Sequence, residues 1–170
     1  MKFLKAFVVV VLILLAGLLL IGVFVPEIDD QMDMQVNRPI ITVFAGMMNT
    51  ADLTEWVEGL ESVEQTGGLL AMPGSTFKLH FKSSEMEEVY DMEILDMKPM
   101  KSVRFRLYND KLDIEFSISF EANALATDVH IFIQMKGEDL LTRSMLPLMK
   151  SVIMEQIYQD FERFKLYQEN

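Results

Sequence analysis

From Ala6 to Val25 the chain carries 20 consecutive uncharged residues, nearly all Val, Leu, Ile or Phe. At 1.5 Å per residue a helix of that length spans about 30 Å, the thickness of a bilayer's hydrocarbon core. At roughly −0.4 kcal/mol for each strongly apolar residue, its insertion is favourable by several kcal/mol. Beyond this run the pattern is that of a folded domain. In Gln31–Asn37, Met32, Met34 and Val36 alternate with Asp33 and Gln35, which reads as a first strand. Pro39 opens a short helix through Val43, Phe44, Met47 and Met48, proline being welcome at the first helical position. Thr50 or Asp52 can cap a second short helix bearing Leu53, Trp56 and Val57, and Gly59 ends it. From there the period is two residues for about eighty positions. Met145, Met149, Val152, Ile153, Ile157, Phe161 and Phe164 then recur at helical spacing and predict a long helix covering the sheet. Pro147 fits the first turn after a Ser144 cap, or a kink in a longer helix.

The strand phases agree across the turns, as an antiparallel sheet requires. With Asn109-Asp110 as a two-residue turn, Leu107 faces Leu112, Phe105 faces Ile114 and Val103 faces Phe116. On the other side Arg106 faces Asp113 and Arg104 faces Glu115, two opposite-charge pairs. A one-residue slip would destroy both sets. Across the next turn, Ala122 to Leu125, Ile118 meets Val129, Phe116 meets Ile131 and Ile114 meets Ile133. Upstream, Phe77, Leu79 and Phe81 alternate with Lys78, His80 and Lys82, and Tyr90, Met92 and Ile94 with Asp91 and Glu93. The sheet has one apolar and one charged face.

Composition sharpens this picture at the N-terminus. Mean hydropathy is +0.22 although the net charge is −11, so the apolar residues are concentrated. Removing the first 25 residues takes away only Lys2 and Lys5, and −11 becomes −13. Such a balance excludes nucleic acid as a partner and excludes attraction to anionic lipid by charge. A cleaved signal peptide is the rival to a membrane anchor. Its apolar stretch would run about 7–15 residues and end at a small-x-small site, whereas here the run ends in Gly22-Val23-Phe24-Val25-Pro26. The expected organisation is an uncleaved single-span anchor over residues 1–25, a short linker over 26–30 and one domain over 31–170. Lys2 and Lys5 precede the span while Glu27, Asp29 and Asp30 follow it, which by the positive-inside rule leaves the domain outside the cytoplasm, on the periplasmic face of a bacterial inner membrane.

Several short motifs resemble the START/polyketide-cyclase (SRPBCC) superfamily. Val36-Asn37-Arg38-Pro39-Ile40, then Val43-Phe44 and Leu53-Thr54-Glu55-Trp56, are similar to its first strand end, first helix and second-helix tryptophan. Pro73-Gly74-Ser75 resembles the glycine opening its third strand, and Met97-Lys98-Pro99-Met100-Lys101 the turn before its fifth. Phe164-Lys165-Leu166-Tyr167-Gln168-Glu169 looks like its helix end. The resemblance covers about residues 31–170 and implies an α+β helix-grip fold: about seven antiparallel strands wrapped on a long C-terminal helix, with two short helices after strand one. It also implies an elongated apolar cavity between sheet and helix for lipids, sterols, polyketides or other hydrophobic molecules.

The candidate cavity residues are those of the apolar phase: Tyr90, Met92, Phe105, Phe116, Ile131, Met149, Ile153 and Ile157. Tyr90 offers a ligand one polar contact. Glu88 shares its phase, where a carboxyl would have a raised pKa and serve as acid or base; a bulge or strand end after Ser83-Ser84 would turn it outward, and that is the reading adopted. His80 and His130 fall in the outward phase, His130 opposite Ser117, away from any substrate and without a compact third metal ligand. Fourteen methionines could suggest copper(I), at Met32/Met34 or Met47/Met48, but fit an adaptable apolar interior better. With no cysteine there is neither a disulfide framework nor a thiolate site. No nucleophile elbow, P-loop or dinucleotide fingerprint is present, so no cofactor or metal is expected. The expected function is a membrane-anchored module holding a lipid or other hydrophobic small molecule. Its alternatives are a cyclase or dehydrase using polar cavity residues, and a structural domain with a filled interior.

Overall fold

The computed structural model describes residues 2–25, 27–69, 72–82 and 87–170. Helix α1 (Lys2–Phe24) is long and apolar enough to cross a membrane, a criterion that a signal sequence also meets, and almost all of it is exposed. Strand β1 (Glu27–Val36) follows two residues later. The first strand thus starts at Glu27 rather than Gln31, and Glu27 to Asp30, expected as linker, pair with Lys136 to Ile133 of the sheet. Pro26, also assigned to the linker, lies outside the described residues, as do Ser83 and Ser84.

After β1 come α2 (Ile40–Met48), a 3-10 turn (Thr50–Asp52) and α3 (Leu53–Trp56). Pro39 sits just before the first helical residue, and Asn49, not Thr50 or Asp52, caps the turn by accepting from the Ala51 amide. Gly59 takes φ +76°, a left-handed conformation that glycine adopts without a Cβ clash, and the chain turns into the sheet. Strands β2 (Leu60–Gly67), β3 (Thr76–Lys82), β4 (Glu87–Lys98), β5 (Ser102–Tyr108), β6 (Leu112–Asn123) and β7 (Ala126–Gly137) complete one antiparallel sheet, ordered β1-β7-β6-β5-β4-β3-β2.

The two central hairpins sit two residues away from the expected register. Leu107 pairs with Ile114, Phe105 with Phe116 and Val103 with Ile118. Similarly Ile118 pairs with Ile131, Phe116 with Ile133 and Ile114 with Met135, and His130 lies opposite Ser119, not Ser117. A two-residue shift leaves every side chain on its expected face and changes only its partner. In the β5–β6 hairpin the cause is turn chemistry. Asn109 Oδ1 accepts from the Lys111 and Leu112 amides at 2.9 and 2.8 Å. Its side chain thereby acts as the first position of the turn, leaving Asp110-Lys111 as the central pair.

The expected ion pairs form nonetheless, on the diagonal. Arg106 donates through Nε and Nη2 to the two Asp113 oxygens at 2.6 Å, and Arg104 Nε lies 3.5 Å from Glu115. Reversing both charges of the Arg106–Asp113 pair together is expected to be tolerated better than either single reversal, by a few tenths to about 1 kcal/mol. Chemical denaturation of the four variants measures this coupling, and additive single effects would contradict the pairing.

Helix α4 (Leu140–Glu169) crosses the concave face. Asp139 caps it by accepting from the Thr142 amide at 2.9 Å, so Ser144 is not the cap and Pro147 lies within a longer helix. Ser144 is fully buried and donates to the Leu140 carbonyl. Leu146, Met154, Phe161 and Phe164 form the buried seam, with Ile153 and Ile157 half-buried beside it. Met145, Met149 and Val152, expected to cover the sheet, border the space between helix and sheet and remain partly open to solvent. At the far end Arg38 donates from Nε and Nη2 to the Gln168 and Glu169 carbonyl oxygens, both at 2.7 Å, and Glu169 Oε1 accepts from the Asn37 amide. A cation thus meets the unpaired carbonyls at the helix C-terminus. These contacts give a structural role to Asn37, Arg38, Gln168 and Glu169, four of the residues that carry the family resemblance.

Candidate functional site

Between the inner face of the sheet and the Leu141–Phe161 stretch of α4 lies a cavity of about 750 Å³, within the 300–1,000 Å³ span of small-molecule sites. α2 and α3 supply Met47, Met48, Leu53, Trp56 and Val57; β3 to β6 supply Leu79, Phe81, Tyr90, Met92, Ile94, Phe105, Leu107, Ile114 and Phe116. Helix α4 closes it with Met145, Leu146, Met149, Ile153, Ile157 and Phe161. The strand residues arrive by strict alternation: Phe105 and Leu107 of β5 point inward with Ile114 and Phe116 of β6, and the Phe105 and Phe116 rings stack at 4.8 Å.

Seven of the eight expected residues line this space: Tyr90, Met92, Phe105, Phe116, Met149, Ile153 and Ile157. Ile131 does not. It is 1% exposed within the solid core, because β7 packs directly under α2 and α4, and the space opens over β3 to β6 instead.

Glu88 corrects the outward reading adopted for it, since it lines the cavity. The β3–β4 pairing is regular from Thr76/Glu93 to Lys82/Glu87, so within the described residues no bulge rotates Glu88 away from the phase of Tyr90. The Tyr90 hydroxyl donates to Glu88 Oε2 at 3.1 Å. Burial, and then the adjacent Glu88 carboxylate, push the Tyr90 phenol up to about 12, so it stays protonated and a hydrogen-bond donor at neutral pH. Asn109 and Lys111 of the β5–β6 hairpin also line the cavity. The outcome is a polar patch of Glu88, Tyr90, Asn109 and Lys111 in a chamber lined mostly by apolar side chains.

A second polar cluster lies where α3 meets α4. Asp160 lines the cavity and is held up from the ordinary carboxylate range by burial. It accepts from the Glu58 amide at 3.0 Å and from Gln156 at 3.3 Å, and is paired with Arg163. Arg163 also reaches Glu58 at 3.0 Å and donates to the Trp56 carbonyl at 3.0 Å. Sequence reasoning missed this cluster. The spacings Gln156–Asp160 and Asp160–Arg163 were visible, but nothing along the chain pointed to Glu58.

Both histidines face outward. His80 lies 3.8 Å from Glu87, and His130 Nδ1 lies 2.7 Å from Asp33 across β7 and β1. The bond to Asp33 raises the His130 pKa. Its stabilisation is therefore complete below the unfolded value of about 6.5 and lost as pH rises through the higher folded value. His130→Ala is expected to remove a small fall in melting temperature between about pH 6 and 8; an unchanged profile would show that the pair contributes nothing.

The sequence matches no protein-family model and no curated protein. Solved structures match it well. The ZhuI aromatase/cyclase from a Streptomyces species aligns with a TM-score of 0.69 at 11% identity, over 84% of this chain and 94% of that one. Ara h 8.0201 aligns at 0.68 and 10%, over 84% and 97%. The norcoclaurine synthase of Thalictrum flavum, in complex with dopamine and hydroxybenzaldehyde, aligns at 0.61 and 10%, over 85% and 88%. The fold is the helix grip. At 10–11% identity these likenesses are of fold alone.

Proposed function

We propose that this helix-grip protein is a membrane-anchored binding module that holds a lipid or other hydrophobic small molecule in the cavity between sheet and α4. The observation that carries the reading is the 750 Å³ chamber itself. Its walls are aliphatic, aromatic and thioether side chains, with Glu88, Tyr90 and Asn109 able to fix one polar group of a ligand. That a protein of this fold holds two small aromatic molecules is consistent with such use. The anchor in this reading is α1, with the domain outside the cytoplasm. A second reading, an enzyme of the cyclase or dehydrase kind, is favoured by one contact, the Tyr90–Glu88 hydrogen bond; turnover of a bound polyketide-like substrate that Glu88→Gln abolishes would select it.

Native mass spectrometry of the detergent-extracted protein is expected to show a co-purifying apolar mass, and persistent apo protein would count against the binding reading. Alkaline phosphatase fused after Asn170 is expected to be active in a bacterial host. An inactive fusion would reverse the topology, and a mature chain starting near Glu27 would replace the anchor by a signal peptide.

A further inference from the structure

The two halves of α4 differ in chemistry. Glu155–Glu169 carries six charged residues, whereas Leu140–Met154 carries two, Arg143 and Lys150. Both of these are turned onto the protein. Arg143 donates to the Gly137 and Glu138 carbonyls at 2.8 and 3.1 Å; Lys150 donates to the Asp29 carbonyl at 2.7 Å and pairs with Asp30 at 3.2 Å. The large side chains that face outward are apolar. Leu141, Met145, Leu148 and Val152 are 56, 42, 64 and 69% exposed. At 3.6 residues per turn they fall within an arc of about 60°. A contiguous exposed apolar stripe of this kind marks a surface that meets a partner or a bilayer, and the chain leaves this stripe uncovered.

Two observations identify what covers it. The first is α1, which packs on the start of the same segment. A Cβ on Gly22 would lie 2.7 Å from the Ser144 amide nitrogen and 2.8 Å from the Leu140 carbonyl oxygen, so the two helices touch backbone to backbone. Only Val25 and Pro26 separate α1 from β1 in the sequence. The second is the cavity. Leu141, Met145 and Val152 line it as well as the stripe, together with Asn109 and Lys111 of the β5–β6 hairpin. The apolar helix, the exposed stripe and the cavity are therefore continuous.

We infer that the first half of α4 lies in the interfacial layer of the bilayer, and that the cavity takes an acyl-chain lipid from that leaflet past α4. This rests on the reading of α1 as a membrane anchor. With a net charge of −11, docking is apolar rather than electrostatic, so zwitterionic vesicles suffice and salt has little effect.

The chain contains no cysteine, so single cysteines can carry an environment-sensitive NBD fluorophore. The full chain is reconstituted into phosphatidylcholine vesicles with the label at Leu148→Cys or at Leu125→Cys. Leu125 is 83% exposed in the β6–β7 turn, next to Thr127, whose hydroxyl bonds Arg38 at the opposite end of α4. The expected result is blue-shifted emission at position 148, quenched by spin-labelled phosphatidylcholine, with neither effect at position 125. In addition, Leu148→Asp is expected to slow uptake of pyrene-labelled phosphatidylcholine from donor vesicles severalfold, while binding of dissolved anthroyl stearate is unchanged. Leu148 does not line the cavity, so the two readouts separate delivery from binding. Protein that floats with the vesicles but shows water-like emission at position 148 overturns this inference and leaves the anchor standing. Protein that does not float overturns both. A blue shift that lipid spin labels fail to quench, and that depends on protein concentration, assigns the stripe to a contact between two copies and overturns the leaflet route.

Discussion

Ile153→Trp is expected to leave the fold close to its original stability while weakening binding of a fluorescent fatty acid about tenfold or more. Ile153 is half-buried on α4 and faces the chamber rather than the solid seam formed by Leu146, Met154, Phe161 and Phe164. Enlarging a side chain in a filled core forces off-rotamer neighbours and costs about 1–3 kcal/mol. Next to 750 Å³ of space an indole can extend without displacing anything, and a stability change below about 1 kcal/mol is expected. The same indole occupies volume that a ligand needs, and a loss of about 1.4 kcal/mol of binding is tenfold in affinity. Adding Met149→Trp, one helical turn away, extends the obstruction along the same wall and should abolish binding. Unfolding and probe titration on the same samples decide the matter. A large loss of stability together with a wild type that binds no probe would mean a solid interior, and the structural alternative would then replace the binding module.

How far the residues could be read before folding depends on what each pattern constrains. Alternation fixes which face a strand residue occupies, and Phe105, Phe116, Arg106 and Asp113 all lie on the faces assigned to them. It does not fix the cross-strand partner, because a shift of two residues preserves every face. The side-chain bonds of Asn109 to the Lys111 and Leu112 amides decide that step. Helical spacing located α4, but with only two charged residues in its first half, Arg143 and Lys150, periodicity could not choose among its faces. Met145, Met149 and Val152 were accordingly placed over the sheet, and they lie at the chamber and in solvent. Ile131 was misplaced for another reason: all inward residues look alike in sequence, and only the packing of α2 and α4 over β7 separates core from chamber. Asp160 and Glu58 meet across 102 positions through an amide-to-carboxylate bond, which no local pattern announces.

Phe164→Ala is expected to be the most damaging of the single substitutions considered, at about 3–5 kcal/mol. Phe164 is fully buried, and its ring meets Trp56 edge-on at 5.1 Å. Trp56 in turn lies 6.1 Å from Phe161, which is 6.4 Å from Phe116. This aromatic chain joins α3, α4 and the sheet, and Trp56, Phe116 and Phe161 are also walls of the chamber. The indole Nε1 of Trp56 is buried without a hydrogen-bond partner among the described residues, and ring packing holds its position. Removing the Phe164 ring leaves a void that the backbone of α4, pinned by Arg38 at one end and Asp139 at the other, cannot close. Denaturation in a mild detergent is expected to show the full loss, whereas Leu166→Ala, at a position 59% exposed two residues on, should fall within about 0.5 kcal/mol. Because Trp56 loses its support, binding of the fatty-acid probe should weaken even under conditions where the variant remains folded. A folded variant with unaltered probe affinity would show that the chamber wall does not depend on this aromatic chain.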